Sequence, residues 1–173
     1  MLEGSKHFAK EFMVKNNIPT AEYHKSETYE DCMSYASRLI KESGKAVLKA
    51  DTLCQGKGVF IAESLIDAED FCKKVLIEKI FGECSMVVEE YLDGFEMSLL
   101  CFVDNNTIKP LPTVKDHKKI HDGERGLNTG GMGTYSPNSQ ADIYLSEIES
   151  TVLTPFLDGI KKDALDFRGI IFI

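Results

Sequence analysis

AVLKADTLCQGKGVFIAES, residues 46–64, is the stretch whose reading decides the fold. Residues 46–51 are a short apolar run interrupted by Lys49, and residues 58–62 are another, so the intervening 52–57 must double the chain back. The pattern is strand, tight glycine-rich turn, strand. A hairpin of this kind can lie over a polyphosphate. Gly56 and Gly58 have no Cβ to hold backbone N–H groups away from phosphate oxygens, and Lys49 and Lys57 supply compact positive charge. Two other phosphate motifs do not fit. A Walker P-loop needs Ser or Thr directly after Gly-Lys, and position 58 is Gly. The G-x-G-x-x-G dinucleotide fingerprint fails because Ile61 stands at the third glycine and a strand, not a helix, follows. The competing reading is a surface hairpin with solvated lysines.

Outward from this hairpin, residues 5–17 carry Phe8, Phe12 and Met13 on one side and Lys6, Lys10 and Lys15 elsewhere, which predicts a helix with one apolar face, stopped by Asn16, Asn17 and Pro19. Lys6 falls in its first turn, where a positive charge opposes the helix dipole, and taken alone it reads as an exposed side chain. A second helix is expected over 26–43, ended by Gly44, and a third after Ser64, with Asp67 completing a capping box. MVVEEYL, residues 86–92, reads as a strand that turns polar as it ends. Strands over 96–103 and 108–114 complete an antiparallel meander.

From Lys115 the chain becomes polar and glycine-rich, with glycines at 126, 130, 131 and 133, and is expected to be a functional loop packed through Met132, Tyr135 and Pro137. His117 and His121 lack a helix to align them and an acidic partner at metal spacing, so backbone recognition of an anion suits this loop better than zinc. Residues 141–166 give the longest helical pattern, bent or divided at Pro155. RGIIFI, residues 168–173, is an apolar strand expected to lack a neighbour, which suggests a fragment whose next segment is missing.

The 173 residues suit one medium domain or two small interleaved ones, and 43% hydrophobic content suffices for a core. A net charge of −8 argues against nucleic-acid or membrane surfaces as partners, so an anionic ligand needs a local basic site. Five scattered cysteines read as reduced thiols of a cytoplasmic protein. No stretch approaches a signal-peptide core or a membrane span.

Lys6 after Gly-Ser, then VLKAD, GKGV, VVEEYLDGFEMS, KDHKK and NTGGMGTYSP, in this order, resemble the ATP-grasp core of the glycinamide ribonucleotide synthetases, also called phosphoribosylamine-glycine ligases. The resemblance covers essentially the whole chain, and N-T-G-G-M-G after D-H-K is its specific part. It implies an α+β ATP-grasp fold truncated at its C-terminus, with a lid over residues 20–88 hinged on part of a larger subdomain, residues 1–19 and 89–173, and ATP between them. It implies ATP-dependent joining of glycine to 5-phosphoribosylamine through a glycyl phosphate, in purine synthesis.

Carried over by position, Lys6 and Lys49 resemble the lysines that meet the ATP phosphates. Gln55, Gly56, Lys57 and Gly58 resemble the mobile loop that closes over them. Glu89, Glu90, Tyr91 and Leu92 resemble the hinge whose backbone and first carboxylate face adenine, and Glu96 the ribose-binding glutamate. Asp116, His117 and Lys118, with Asn128, Thr129, Gly130 and Gly131, resemble the lining of the phosphoribosyl pocket. Thr52, Cys54, Gln55 and Leu127 depart from the family pattern. The family's N-terminal domain and its magnesium ligands, expected after Ile173, have no counterpart in the sequence, so ligation by the chain alone is not expected. The rivals are another ATP-grasp carboxylate-amine ligase, against which D-H-K and N-T-G-G-M-G argue, and a nucleotide-binding module without chemistry.

Overall fold

The computed structural model describes every residue except Met1, Glu3, Gln55, Gly56 and Glu124, and leaves the side chains of Leu127 and Asn128 undescribed. The residues gather into two compact units, Met1–Glu11 with Thr20–Asp93, and Phe12–Pro19 with Gly94–Ile173. Among the described residues no helix is long and apolar enough to cross a membrane.

The first unit is built on an antiparallel four-stranded sheet in the order β1-β4-β2-β3, from β1 (Tyr23–Ser26), β2 (Ala46–Ala50), β3 (Val59–Ala62) and β4 (Met86–Glu89). β2 and β3 are the expected hairpin, with Ala46 opposite Ala62 and Lys49 opposite Val59. Side chains alternate faces along β2. Ala46, Leu48 and Ala50 are buried, together with Met86 and Val88 of β4, against Cys32, Ala36, Leu39, Ala68, Phe71 and Cys72. Those last six come from α2 (Tyr29–Ser43) and α3 (Leu65–Cys72), whose sequences stop and start them as read. The Thr28 and Ser64 side chains accept N–H bonds from Asp31 and Asp67, and Gly44, at φ 81°, returns its N–H to the Ile40 carbonyl. α2 begins three residues later than expected, because residues 23–26 pair with β4 instead.

The sheet's other face carries Tyr23, Val47, Lys49, Val87 and Glu89, since Val47 lies opposite Glu89 and Lys49 opposite Val87. Lys49 and Glu89 are therefore diagonal neighbours on adjacent strands. The N-terminal part of α1 (Lys6–Lys15) meets residues of this face, as described below.

In the second unit, β5 (Leu100–Val103) is flanked antiparallel by β6 (Ile108–Pro110) and β9 (Gly169–Phe172). The expectation of an unpaired C-terminal strand fails: Leu100 lies opposite Phe172 and Val103 opposite Gly169, and Leu99 and Ile173 exchange backbone hydrogen bonds. A partner this far away along the chain leaves no local trace in sequence. The expected loop after Lys115 is also corrected. It forms two paired strands, β7 (Lys115–His121) and β8 (Arg125–Tyr135), with register irregularities that accommodate the glycines. The long helical pattern is divided into α4 (Ser139–Asp142), α5 (Leu145–Ile148), a π-helical stretch Glu149–Leu153, and α6 (Thr154–Lys162), with Pro155 in the first turn of α6. Gly159 of α6 lies so close to Asn16 and Phe12 that a Cβ there would stand 2.7 and 2.8 Å from their side chains.

Candidate functional site

In the first unit the centre of the candidate site is a buried carboxylate between two lysines. Glu89 is only 4% exposed. Its Oε1 lies 2.9 Å from Lys49 Nζ and its Oε2 2.9 Å from Lys10 Nζ. The Lys10 ammonium also donates to Thr20 Oγ1 at 2.8 Å and to the Ala21 carbonyl at 3.1 Å, and it sits 5.5 Å from the centre of the Tyr23 ring. Burial pushes the Lys10 pKa below its ordinary value, opposed by the hydrogen bond and charge of Glu89. Two ammonium groups around one carboxylate leave one positive charge in excess. The more accessible of the two is Lys49, whose side chain is 26% exposed against 7% for Lys10.

Beside this group, the N-terminus of α1 is tied to the end of β2. Lys6 Nζ donates to the carbonyls of Ala50 and Thr52, each at 2.8 Å, so this lysine is engaged with the start of the glycine turn and is only half-buried. The Asp51 carboxylate accepts from Ser5 Oγ and the His7 N–H at 3.1 Å and from Ser85 Oγ at 3.3 Å. An acidic group at a helix N-terminus complements both its free N–H groups and its dipole. Gln55 and Gly56, the expected centre of the mobile loop, lie outside the described residues; Lys57 is exposed, and its N–H bonds to the Cys54 carbonyl at 3.0 Å. A Cβ at Gly58 would stand 2.5 Å from Cys54 Sγ, so the turn closes only over glycine there. After Glu89 the chain leaves the sheet. Glu90 exchanges bonds with the Glu22 backbone, Tyr91 stacks under the Lys45 ammonium at 4.7 Å, and Leu92 is exposed.

In the second unit, Glu96 is exposed and stands 3.7 Å from Lys118. β7 and β8 bring Asp116 to the N-T-G-G-M-G segment. A Cβ at Gly131, whose φ is +119°, would lie 3.1 Å from Asp116 Oδ1, and that buried oxygen has no hydrogen-bond partner among the described residues. Thr129 Oγ1 donates to the Lys118 carbonyl and accepts the Gly131 N–H. Gly130 has open space around its Cα. His117 packs against Tyr135 and lines a cleft of about 390 Å³ with Lys119, Ile120, His121 and Met132. The backbone of Asn128 lies opposite Lys119.

The expected residues are thus grouped as Lys6, Lys49 and Glu89 in one unit and as Glu96, Asp116, Lys118, Thr129 and Gly131 in the other. Sequence reasoning missed Lys10 and Asp51. Lys10 was legible only as part of the polar side of a helix, although the ion-pair partner of a buried lysine is always worth seeking. Asp51 stood within VLKAD without a role.

The fold is that of the ATP-grasp proteins. Solved structures of low identity share it, among them N5-carboxyaminoimidazole synthetase from Staphylococcus aureus in complex with ADP, with TM-score 0.70 and 18% identity, aligned over 99% of this chain and 40% of that one. The model of the family "Phosphoribosylglycinamide synthetase, ATP-grasp (A) domain" matches residues 4–173, and the chain belongs to this family. It is 44% identical over 174 residues to the phosphoribosylamine–glycine ligase of Clostridium acetobutylicum, covering 99% of this chain and 41% of that protein. The crystal structure of phosphoribosylamine–glycine ligase from Thermotoga maritima superposes with TM-score 0.87 at 37% identity, over 99% of this chain and 44% of that one. The chain therefore spans less than half the length of these relatives.

Proposed function

We propose that the chain binds ATP for the joining of glycine to 5-phosphoribosylamine, the reaction named by its relatives. The observation that carries this reading is Lys49, an accessible ammonium on a buried carboxylate at the end of the strand that leads into the glycine turn. ATP activates glycine as an acyl phosphate, which the amine of phosphoribosylamine then attacks. Such chemistry rests on positioning and charge neutralisation and needs no nucleophilic side chain. Lys49 receives the phosphates and Lys6 steadies the turn that meets them. Glu89 to Leu92 read the adenine through backbone groups and a carboxylate, and the Glu96 carboxylate accepts from the ribose hydroxyls. Asp116, His117 and Lys118, with the Asn128 to Gly131 backbone, face the phosphoribosyl substrate.

Magnesium is in a different position. Among the described residues no three His, Cys, Asp or Glu side chains converge as a metal site, but magnesium is commonly held by only one or two carboxylates together with the nucleotide's own phosphates, so it would enter with the ATP. The test is calorimetric titration of ATP into the chain, then glycine- and phosphoribosylamine-dependent ADP formation by a full-length parent enzyme that carries this chain, since the chain alone is not expected to ligate. Saturable ATP binding supports the reading; absence of binding by the folded chain refutes it. ADP release that ignores the amine points instead to a nucleotide module without ligase chemistry.

A further inference from the structure

The proposed function leaves Lys10 unassigned, although it is the most thoroughly enclosed cation of the first unit's site. We propose that Lys10 is a positioning residue for phosphate binding: it holds Glu89 from the buried side, so that Lys49 can turn to a phosphate without leaving a buried carboxylate unpaired. The inference rests on the reading of Lys49 as a phosphate ligand.

All three ammonium protons of Lys10 have acceptors, Glu89 Oε2 at 2.9 Å, Thr20 Oγ1 at 2.8 Å and the Ala21 carbonyl at 3.1 Å, so this side chain is fixed. Lys49 has Glu89 as its one ion-pair partner among the described residues and lies on the more exposed flank. Of the two, Lys49 is the one that can move. Were Lys10 neutral, Glu89 and Lys49 would neutralise each other, and a phosphate would have to compete with a buried carboxylate for a single ammonium. Breaking a buried pair by taking one partner away is strongly unfavourable because it strands the other charge. With Lys10 in place that penalty is avoided, and the excess positive charge is available to an anion. The hydrogen bond and charge of Glu89 in turn oppose the effect of burial on Lys10.

The experiment is a double-mutant cycle read by calorimetric titration of ATP, with circular dichroism to confirm folding. Lys10→Met is expected to weaken ATP binding about ten- to a hundredfold when Glu89 is present. In the Glu89→Gln background, where no carboxylate retains Lys49, the same substitution is expected to change affinity by no more than about twofold. Lys10→Arg, which keeps the charge, is expected to bind better than Lys10→Met. Should Lys10→Met fail to fold, Lys10→Gln takes its place, since its amide can still donate to Thr20 and Ala21. An equal loss in both backgrounds makes Lys10 a structural or direct contact and overturns the proposal. No loss in either background overturns it too, while leaving the Lys49 reading intact. If the unmodified chain binds no ATP, the reading of the site falls, and this inference falls with it.

Discussion

Lys49→Ala separates ligand binding from fold stability at one position. The lysine interrupts an apolar strand, stands 2.9 Å from Glu89 Oε1 and keeps about a quarter of its side chain, 26%, exposed. Its removal deletes a charge-assisted contact to a phosphate, worth about 1.5–3 kcal/mol, or about ten- to a hundredfold in ATP affinity. The fold should lose much less. Glu89 keeps Lys10 at 2.9 Å on its other oxygen, so no buried charge is stranded, and a cost of about 1 kcal/mol is expected for the lost partner. Titration calorimetry gives the first quantity and urea unfolding the second. Unchanged ATP affinity in a folded variant would show that Lys49 does not touch the nucleotide. A stability loss large enough to unfold the protein would refute the claim that Lys10 suffices for Glu89.

Three further outcomes are expected. Glu96→Gln keeps the shape and one acceptor but loses the charge, so the affinity ratio of ATP to 2′-deoxy-ATP should shrink; an identical ratio in both proteins rules out contact between Glu96 and that hydroxyl. Gly159→Ala places a Cβ 2.7 Å from the Asn16 side chain and 2.8 Å from Phe12 Cζ, and should destabilise by about 1–3 kcal/mol, seen as a lower urea midpoint. The Asp104 carboxylate accepts the Asn106 and Thr107 N–H groups, the larger cause being Asn106, and its pKa lies below the ordinary 3.8. A depressed carboxylate pKa contributes stability that is present above the ordinary value and lost as pH falls through the folded-state value. Asp104→Asn should therefore lower stability at neutral pH and flatten the acid limb of a stability–pH curve, the two proteins converging as pH falls through the folded-state value; an acid limb of unaltered slope contradicts this.

Local chemistry was enough for the first unit's skeleton. Alternation in 46–50, the glycines of the turn, the Ser64 cap and the left-handed Gly44 act within a few residues, so the hairpin and the helices that cover it follow from neighbouring positions alone. Lys49 was legible for the same reason, as a charge where an apolar residue was due. The motifs of the resemblance pointed to the family that the whole-chain match then established. The remainder depends on pairings that no local rule encodes. Residues 115–135 have the polar, glycine-rich composition of a loop, yet two such stretches satisfy each other's backbone groups as a hairpin. Residues 169–172 find their partner at 100–103, far off in sequence. On α1, the helical period places Lys6, Lys10 and Lys15 away from the apolar stripe, but it cannot say which ammonium meets a buried carboxylate. That choice belongs to the tertiary structure, because only the facing sheet brings Glu89 to Lys10 and makes burial of the charge tolerable.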